Sequence, residues 1–144
     1  MHRAYRVLII YFMLFSLLLL LSGAMIFEHK IGFGIAEVQS YYLGDAERFI
    51  APKSFNGMLK TLLPHLFVFG LLWFVASHFL RFTAHYKRAV WIALSLFWLL
   101  AIEALSPFFM LVHEAFAFLK LFGFFGSYVA FLAIFYLLLC AQKE

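Results

Sequence analysis

The chain has 144 residues, of which 67% are hydrophobic, 22% aromatic and 12% charged. A soluble domain is closer to half apolar and a quarter charged, so the composition excludes a water-soluble globule and a disordered chain. The net charge of +4 comes from Lys and Arg residues that form no patch, so nucleic acid is not an expected partner. One cysteine, Cys140, excludes an internal disulfide and a metal site built on two thiolates.

The first apolar run covers residues 7–27 and follows the basic residues Arg3 and Arg6. A bilayer-spanning helix needs about 20 mostly apolar residues, which this run supplies. A basic start before an apolar stretch is also typical of a secretory signal peptide, and residues 22–24 resemble a cleavage site. The run is longer than the apolar core of a signal peptide, which is about 7–15 residues. We therefore predict a retained helix.

A polar segment at residues 28–57 follows the first run. Within it, residues 35–42 are expected to form a short helix at the membrane surface, because Tyr41 and Tyr42 suit the headgroup level. Ser54 is a residue type that caps helices, so it predicts the start of the next helix.

Three further apolar runs follow, at residues 58–82, 89–105 and 116–140. Pro107 cannot donate the helical hydrogen bond, so the sequence Ser106-Pro107 is expected to end or kink the third span. The pattern predicts an all-α fold. The chain should form a single domain at residues 1–144, a four-helix transmembrane bundle with a long outer loop between helices 1 and 2.

The distribution of basic residues predicts the orientation. Lys and Arg residues precede the first span and surround the connector at residues 81–88, whereas residues 106–115 contain none. Cytoplasmic loops carry an excess of Lys and Arg, so both termini are expected in the cytoplasm and the long loop outside. The expected location is the inner membrane, as a multi-pass protein.

Ionisable residues inside the predicted spans are His65, His78, Glu103 and Lys120. At a rise of about 1.5 Å per residue, His65, Glu103 and Lys120 fall in one layer of the outer leaflet, and His78 lies at the inner end. Small residues follow Lys120 at positions 123, 127, 130 and 133, which is typical of a helix-packing face. Lys120 is therefore expected to face the bundle, with snorkelling to the headgroups as the alternative.

Glu103 needs either a proton or a nearby cation in this environment. The available partners are His65, Lys120 and His113. Two interpretations stay open: a structural pair that fixes the helix register, and a proton or metal site.

Two histidines on one span are also typical of b-type cytochromes, which stack two haems. The separation of 13 positions from His65 to His78, at about 100° each, leaves the two rings more than 100° apart, which disfavours that arrangement. A single outer b-type haem between His65 and His113 is more feasible. Alternatively, His65, His113, His29 and Glu103 could hold a copper, iron or zinc ion. Without a cofactor, the histidines would be interfacial or hydrogen-bonded to neighbouring helices.

The segment YYLGDAERFIAPKSFNGMLKTLLPHLF, with His78 and the EALSPF sequence that begins at Glu103, resembles a known family. Its members are small four-helix inner-membrane proteins of proteobacteria, which often carry a misapplied translation-factor name. The resemblance spans the outer loop and helices 2 and 3, and it implies a fold and a location but no activity. Relatives tend to have a second histidine two residues before His65, where this chain has Leu63.

Three functions remain open from the sequence. The first is a haem- or metal-binding redox subunit that works beside quinone or a periplasmic cytochrome. The second is a non-catalytic accessory or assembly subunit that docks another membrane subunit. The third, a solute or proton pathway, is the least favoured, because the middle of each span is almost wholly apolar. No motif specifies an enzymatic reaction.

Overall fold

The computed structural model describes residues 3–81, 83 and 86–141. In these residues the helices are α1 (Arg3–Lys30), α2 (Ile35–Leu43), α3 (Phe55–Leu80), α4 (Tyr86–Met110) and α5 (Ala117–Ala141), and a 3₁₀ helix at Glu114–Phe116 precedes α5. Four of them, α1, α3, α4 and α5, are long and apolar enough to cross a membrane. The predicted all-α bundle with four candidate spans is confirmed, and so is the short helix between the first two spans.

Ser54 caps α3 as its residue type predicted. Its Oγ accepts a hydrogen bond from the Gly57 backbone N–H at 3.1 Å, which satisfies one of the free donors at the start of the helix. At α2, the side chain of Glu37 accepts from the Gly34 N–H at 2.8 Å. Local side chains therefore define where both helices begin.

The sequence Ser106-Pro107 was expected to end or kink the third span. It does not end the helix, because α4 continues to Met110. Proline lacks the N–H that would bond the carbonyl four residues earlier, which is that of Glu103. Two other donors satisfy this carbonyl: the Ser106 Oγ at 2.9 Å and the Lys120 Nζ at 3.1 Å. The helix tolerates the proline because these donors replace the missing bond.

The centre of the bundle is the pair α4 and α5, which form the most extensive helix interface, and α3 packs on α4. Within the most apolar stretch of each helix, 50% of α5 and 39% of α4 is buried inside the protein, against 11% of α1 and of α3. The Trp73 Nε1–H links α3 to α4 by donating to the Ala93 carbonyl at 2.8 Å. Most of α1 and α3 is therefore left to face lipid.

The loop end of the bundle, where α2 and the 3₁₀ helix lie, is held by a few polar contacts. The Gln39 side chain donates to the Glu114 carbonyl at 3.2 Å. The loop after α2 closes through paired backbone hydrogen bonds between Asp45 and Ile50, at 2.8 and 2.9 Å. The ammonium of Lys53 lies 4.0 Å from the centre of the Tyr41 ring. The opposite end, with the connector between α3 and α4, is called the connector end below.

Two hydrophobic clusters form the core. The larger one runs through the bundle toward the connector end and includes Leu72, Leu100 and Phe131. The smaller one lies at the loop end, where Phe27 and Phe124 pack with their ring centres 4.3 Å apart, beside residues of α2 such as Tyr42. Members of both clusters line one cavity, which therefore lies where the two clusters meet.

Candidate functional site

Glu103 on α4 and Lys120 on α5 form a buried ion pair. The Lys120 Nζ lies 3.0 Å from the Glu103 Oε1, and the two side chains are 8% and 6% exposed, lysine first. The expectation that Lys120 faces the bundle is confirmed. Because the same ammonium also donates to the Glu103 backbone carbonyl, one lysine neutralises the carboxylate and completes the hydrogen bonding of the helix at Pro107.

Gly123 allows the two helices to approach closely at this pair. A Cβ at position 123 would lie only 2.7 Å from the Glu103 backbone N and 2.8 Å from its Cα. No other residue type fits this spacing without moving α4 away from α5. The predicted packing face of α5 is thus used where the ion pair forms.

A cavity of about 410 Å³ adjoins the ion pair. All five helices contribute to its lining, which is mostly apolar and includes Glu103 and Lys120. The remaining polar or ionisable side chains of the lining are Lys30, Tyr41, Tyr42, Thr61, His65, Ser127 and Tyr128. Pockets of this kind, largely apolar with a few convergent polar groups, are the usual form of small-molecule sites.

The cavity reaches the surface of the bundle at membrane depth. Ile26 on α1 and Val68 on α3 both line it and are 57% and 38% exposed. Thr61 and His65, on the same side of α3 as Val68, are also exposed. The lining of the cavity therefore includes surface residues of both α1 and α3.

His65 lines this cavity with one ring nitrogen already engaged. Its Nδ1 lies 2.7 Å from the Thr61 carbonyl oxygen, so this nitrogen carries the proton and donates. In the neutral ring the other nitrogen, Nε2, is then an acceptor. His65 is thereby prepared to accept a hydrogen bond from a hydroxyl or to bind a metal.

Tyr42 on α2 closes the cavity at the loop end. The residue is 3% exposed and lines the cavity. Burial raises the pKa of Tyr42 above its ordinary value, and the neighbouring Tyr41 and Glu103 raise it further. The phenol therefore stays protonated at physiological pH and is a hydrogen-bond donor.

The other histidines named from the sequence, His113 and His29 of the haem or metal set and His78 at the inner end, do not line the cavity. His113 is exposed and begins the 3₁₀ helix, where its Nδ1 accepts the Ala115 N–H at 3.1 Å. His29 is exposed in the last turn of α1. His78 is exposed in the last turn of α3, with its ring against Phe79. Across residues 3–81, 83 and 86–141, no group of three or more His, Cys, Asp or Glu side chains is placed to hold a metal ion.

The structure thus brings together His65, Glu103 and Lys120 around one cavity, and it adds residues that sequence reasoning missed. Phe27 packs beside the ion pair, with its ring centre 5.9 Å from the Lys120 ammonium. Tyr128 donates from its hydroxyl to the Leu20 carbonyl at 2.6 Å and so joins α5 to α1. The only sequence signal for Tyr128 was its position beside Ser127 on the small-residue face.

Comparison with known proteins places the chain in a family. A family model described as a transmembrane helical domain matches residues 32–143, which include α2 to α5 and leave α1 outside. No curated protein matches the chain. No solved structure matches it either. The family match covers more than half of the chain, which therefore belongs to this small family of membrane proteins.

Proposed function

We propose that this member of the transmembrane helical domain family is a non-catalytic membrane protein that holds a membrane-soluble molecule of the quinone class in its loop-end cavity. The observation that carries the proposal is the cavity itself. It has about 410 Å³ of space, a mostly apolar lining, a polar wall at one side and exposed lining residues on α1 and α3.

The chemistry of the lining supports an uncharged, ring-headed ligand. The charges of Glu103 and Lys120 cancel, so this buried part of the wall favours no net charge on the occupant, and the exposed Lys30 is the other charged side chain of the lining. The His65 Nε2 can accept from a quinol hydroxyl, and the protonated Tyr42 can donate to a quinone carbonyl. The apolar tail of such a molecule would lie beside Val68 and Ile26 and continue into lipid.

As an accessory subunit, the protein would keep this molecule available to a neighbouring membrane subunit or a periplasmic cytochrome. We place it in the inner membrane of proteobacteria, with both termini in the cytoplasm and the loop end outside. The basic residues around the connector at 81–88 and their absence at 106–115 support this orientation. The resemblance of residues 41–67 to small inner-membrane proteins of proteobacteria supports the proposed bacterial source.

Native mass spectrometry of the protein, purified from its membranes in mild detergent, tests the proposal. We expect a bound lipophilic molecule at a stoichiometry near one per chain, with a mass that fits a quinone. Ala104→Phe should abolish its retention, because Ala104 lines the cavity and a phenyl ring would fill the space. Leu62→Trp fills the same cavity from α3 and gives a second, independent variant.

Val129→Phe is the matched control, since residue 129 is 67% exposed on α5 and does not line the cavity. It should retain the molecule as the wild type does. Equal retention by wild type, Val129→Phe and both cavity-filling variants would mean that the molecule sits on the outer surface of the bundle, and the proposal would be wrong.

A b-type haem is the second candidate, and the engaged Nδ1 of His65 favours it. Histidines that bind metal commonly donate their other ring N–H to a carbonyl, as His65 does to Thr61. The neutral ring of His113 has its Nδ1 occupied as an acceptor and its proton on Nε2, so it does not match the role of a second axial ligand. Absorption spectra of the oxidised and the dithionite-reduced protein, with metal analysis, distinguish the two candidates. A Soret band that is lost in His65→Ala would show that the cavity holds haem and not quinone.

A further inference from the structure

We propose that a second site, between α3 and α4 at the connector end, binds the phosphate headgroup of an anionic phospholipid. A separate cavity of about 220 Å³ lies there, and it shares no lining residue with the loop-end cavity. Its lining includes Ser77 and Arg81 from the end of α3 and Tyr86 from the start of α4.

The polar side chains of this lining carry hydrogen-bond donors. Arg81 offers its guanidinium, while Ser77 and Tyr86 offer hydroxyls, and none of the described lining residues carries a carboxylate. Trp73 also lines it, but its N–H is already bonded to the Ala93 carbonyl. A set of donors that includes an Arg matches a phosphate, whose oxygens are acceptors only when ionised.

No acidic side chain in the described part of the chain forms an ion pair with Arg81. The sequence contains no Asp or Glu from residue 48 to residue 102. Among the residues that the structure describes, the ion pairs are Arg48–Asp45 and Lys120–Glu103, so Arg81 forms none of them. Lys87 and Arg88 follow in the first turn of α4 and add to the positive charge at this end.

The apolar part of the cavity suggests a lipid as the source of the phosphate. Val90 and Leu94 line it on α4 and are 36% and 42% exposed, so the space opens toward the bilayer. Arg81 caps α3 and Tyr86 begins α4, which places the donors at the end of two membrane spans, at headgroup depth. Basic pockets between transmembrane helices are known to bind anionic headgroups.

Ser77 gives the site an unused group. Its Oγ is buried and makes no hydrogen bond within the described residues. A buried hydroxyl without a partner is unfavourable, and rotation of this side chain toward a bound phosphate would give it one.

Lipid titration followed by native mass spectrometry tests the inference. The intact wild-type chain in a neutral maltoside detergent is titrated with phosphatidylglycerol or with phosphatidylcholine that carries the same acyl chains. We expect tighter binding of phosphatidylglycerol. Arg81→Gln should weaken it about tenfold, the effect of one lost charge-assisted hydrogen bond. Val90→Trp, which fills the cavity without a change of charge, should weaken it as well.

Arg88→Gln is the control, because it removes the same charge from a residue that does not line the cavity. It should bind phosphatidylglycerol as the wild type does. Equal weakening by Arg81→Gln and Arg88→Gln would indicate diffuse attraction and overturn the proposal, and so would equal binding of the two lipids. Inorganic phosphate alone forms the last arm: if it binds in an Arg81-dependent manner as tightly as the lipid, the site takes free anions and the lipid assignment is wrong.

Discussion

At the scale of single residues, we expect the buried Glu103–Lys120 ion pair to contribute strongly to stability. Removal of one partner from a buried ion pair leaves an uncompensated charge, which costs about 3–5 kcal/mol. We therefore expect Glu103→Gln to lower the free energy of unfolding strongly. The double variant Glu103→Gln/Lys120→Gln should recover part of that loss, because two amides can hydrogen-bond without charge. Reversible denaturant unfolding in mixed micelles measures both.

The exposed ion pair between Arg48 and Asp45 provides the control for this prediction. Its nitrogen-to-oxygen distance is 3.5 Å, and the Arg48 side chain is 68% exposed. Exposed pairs contribute about 0–1 kcal/mol, so Arg48→Gln should change stability little. A Glu103→Gln variant no less stable than Arg48→Gln would show that the buried pair is not formed.

Asp45 sets the pH response of the loop between α2 and α3. Its carboxylate accepts the backbone N–H groups of Arg48 and Glu47, at 3.2 and 3.0 Å, and the Ser40 hydroxyl. These hydrogen bonds, with the Arg48 N–H first, hold the pKa of Asp45 below its usual value. A depressed folded-state pKa means that the stabilisation is present above the unfolded value and lost as pH falls through the folded one.

The loop should accordingly stay closed at mildly acidic pH and open only below the ordinary Asp pKa of about 3.9. NMR titration of the Glu47 and Arg48 amide shifts measures this midpoint. A midpoint at or above the ordinary value would contradict the hydrogen bonding described here, and Asp45→Asn should abolish the transition.

At the scale of helices, the approach of α4 to α5 depends on Gly123. A methyl group there would collide with the Glu103 backbone, which cannot move alone, whereas a Cβ at Gly70 meets nothing within 4 Å. We expect Gly123→Ala to destabilise the protein by about 1–3 kcal/mol, the usual effect of overpacking. Gly70→Ala is the same substitution inside another helix, and it should be neutral or slightly stabilising. Equal effects of the two substitutions would rule out the close helix contact.

The attachment of α1 is weaker than that of the other spans, because α1 makes few contacts with the rest of the bundle. The Tyr128 hydroxyl bond to Leu20 joins it to α5, and 11% of its most apolar stretch is buried. Tyr128→Phe removes that bond at a cost of about 1 kcal/mol. In this variant we expect the amide hydrogens of α1 to exchange faster than they do in the wild type, while the exchange rates in α4 and α5 stay unchanged. Uniform acceleration in all helices would mean that α1 is not a separately held element.

More of the helical structure than of the candidate site could be predicted from the sequence. Apolar length fixes the spans, and residue type is enough to identify Ser54 as a cap. The continuation of α4 past Pro107 could not be predicted, because one of the two donors that replace the missing bond is Lys120, 17 residues away from Glu103 on another helix. His65 and Glu103 were assigned to one layer by helical rise alone. The cavity that joins them arises from how the helices pack, which periodicity does not determine.

At the scale of the whole molecule, the orientation of the chain in the membrane can be tested by cysteine labelling. In a background where Cys140 is replaced by Ala, the variant Phe49→Cys should react with a membrane-impermeant maleimide on intact cells, because residue 49 is 95% exposed in the loop between α2 and α3. A cysteine at Lys87 should react only after the membrane is permeabilised. The reverse pattern would invert the topology that we propose, and the loop end would face the cytoplasm.

The loop-end cavity gives the molecule its proposed role, because it adjoins the ion pair and reaches the bundle surface at membrane depth. The most direct test is a density map of the wild-type chain in native lipid, with an antibody fragment bound as a fiducial. We predict continuous density for a single ring-headed molecule between α1 and α3, within hydrogen-bond distance of the His65 Nε2. A map in which α1 packs against α3 and fills this space with protein side chains would contradict it.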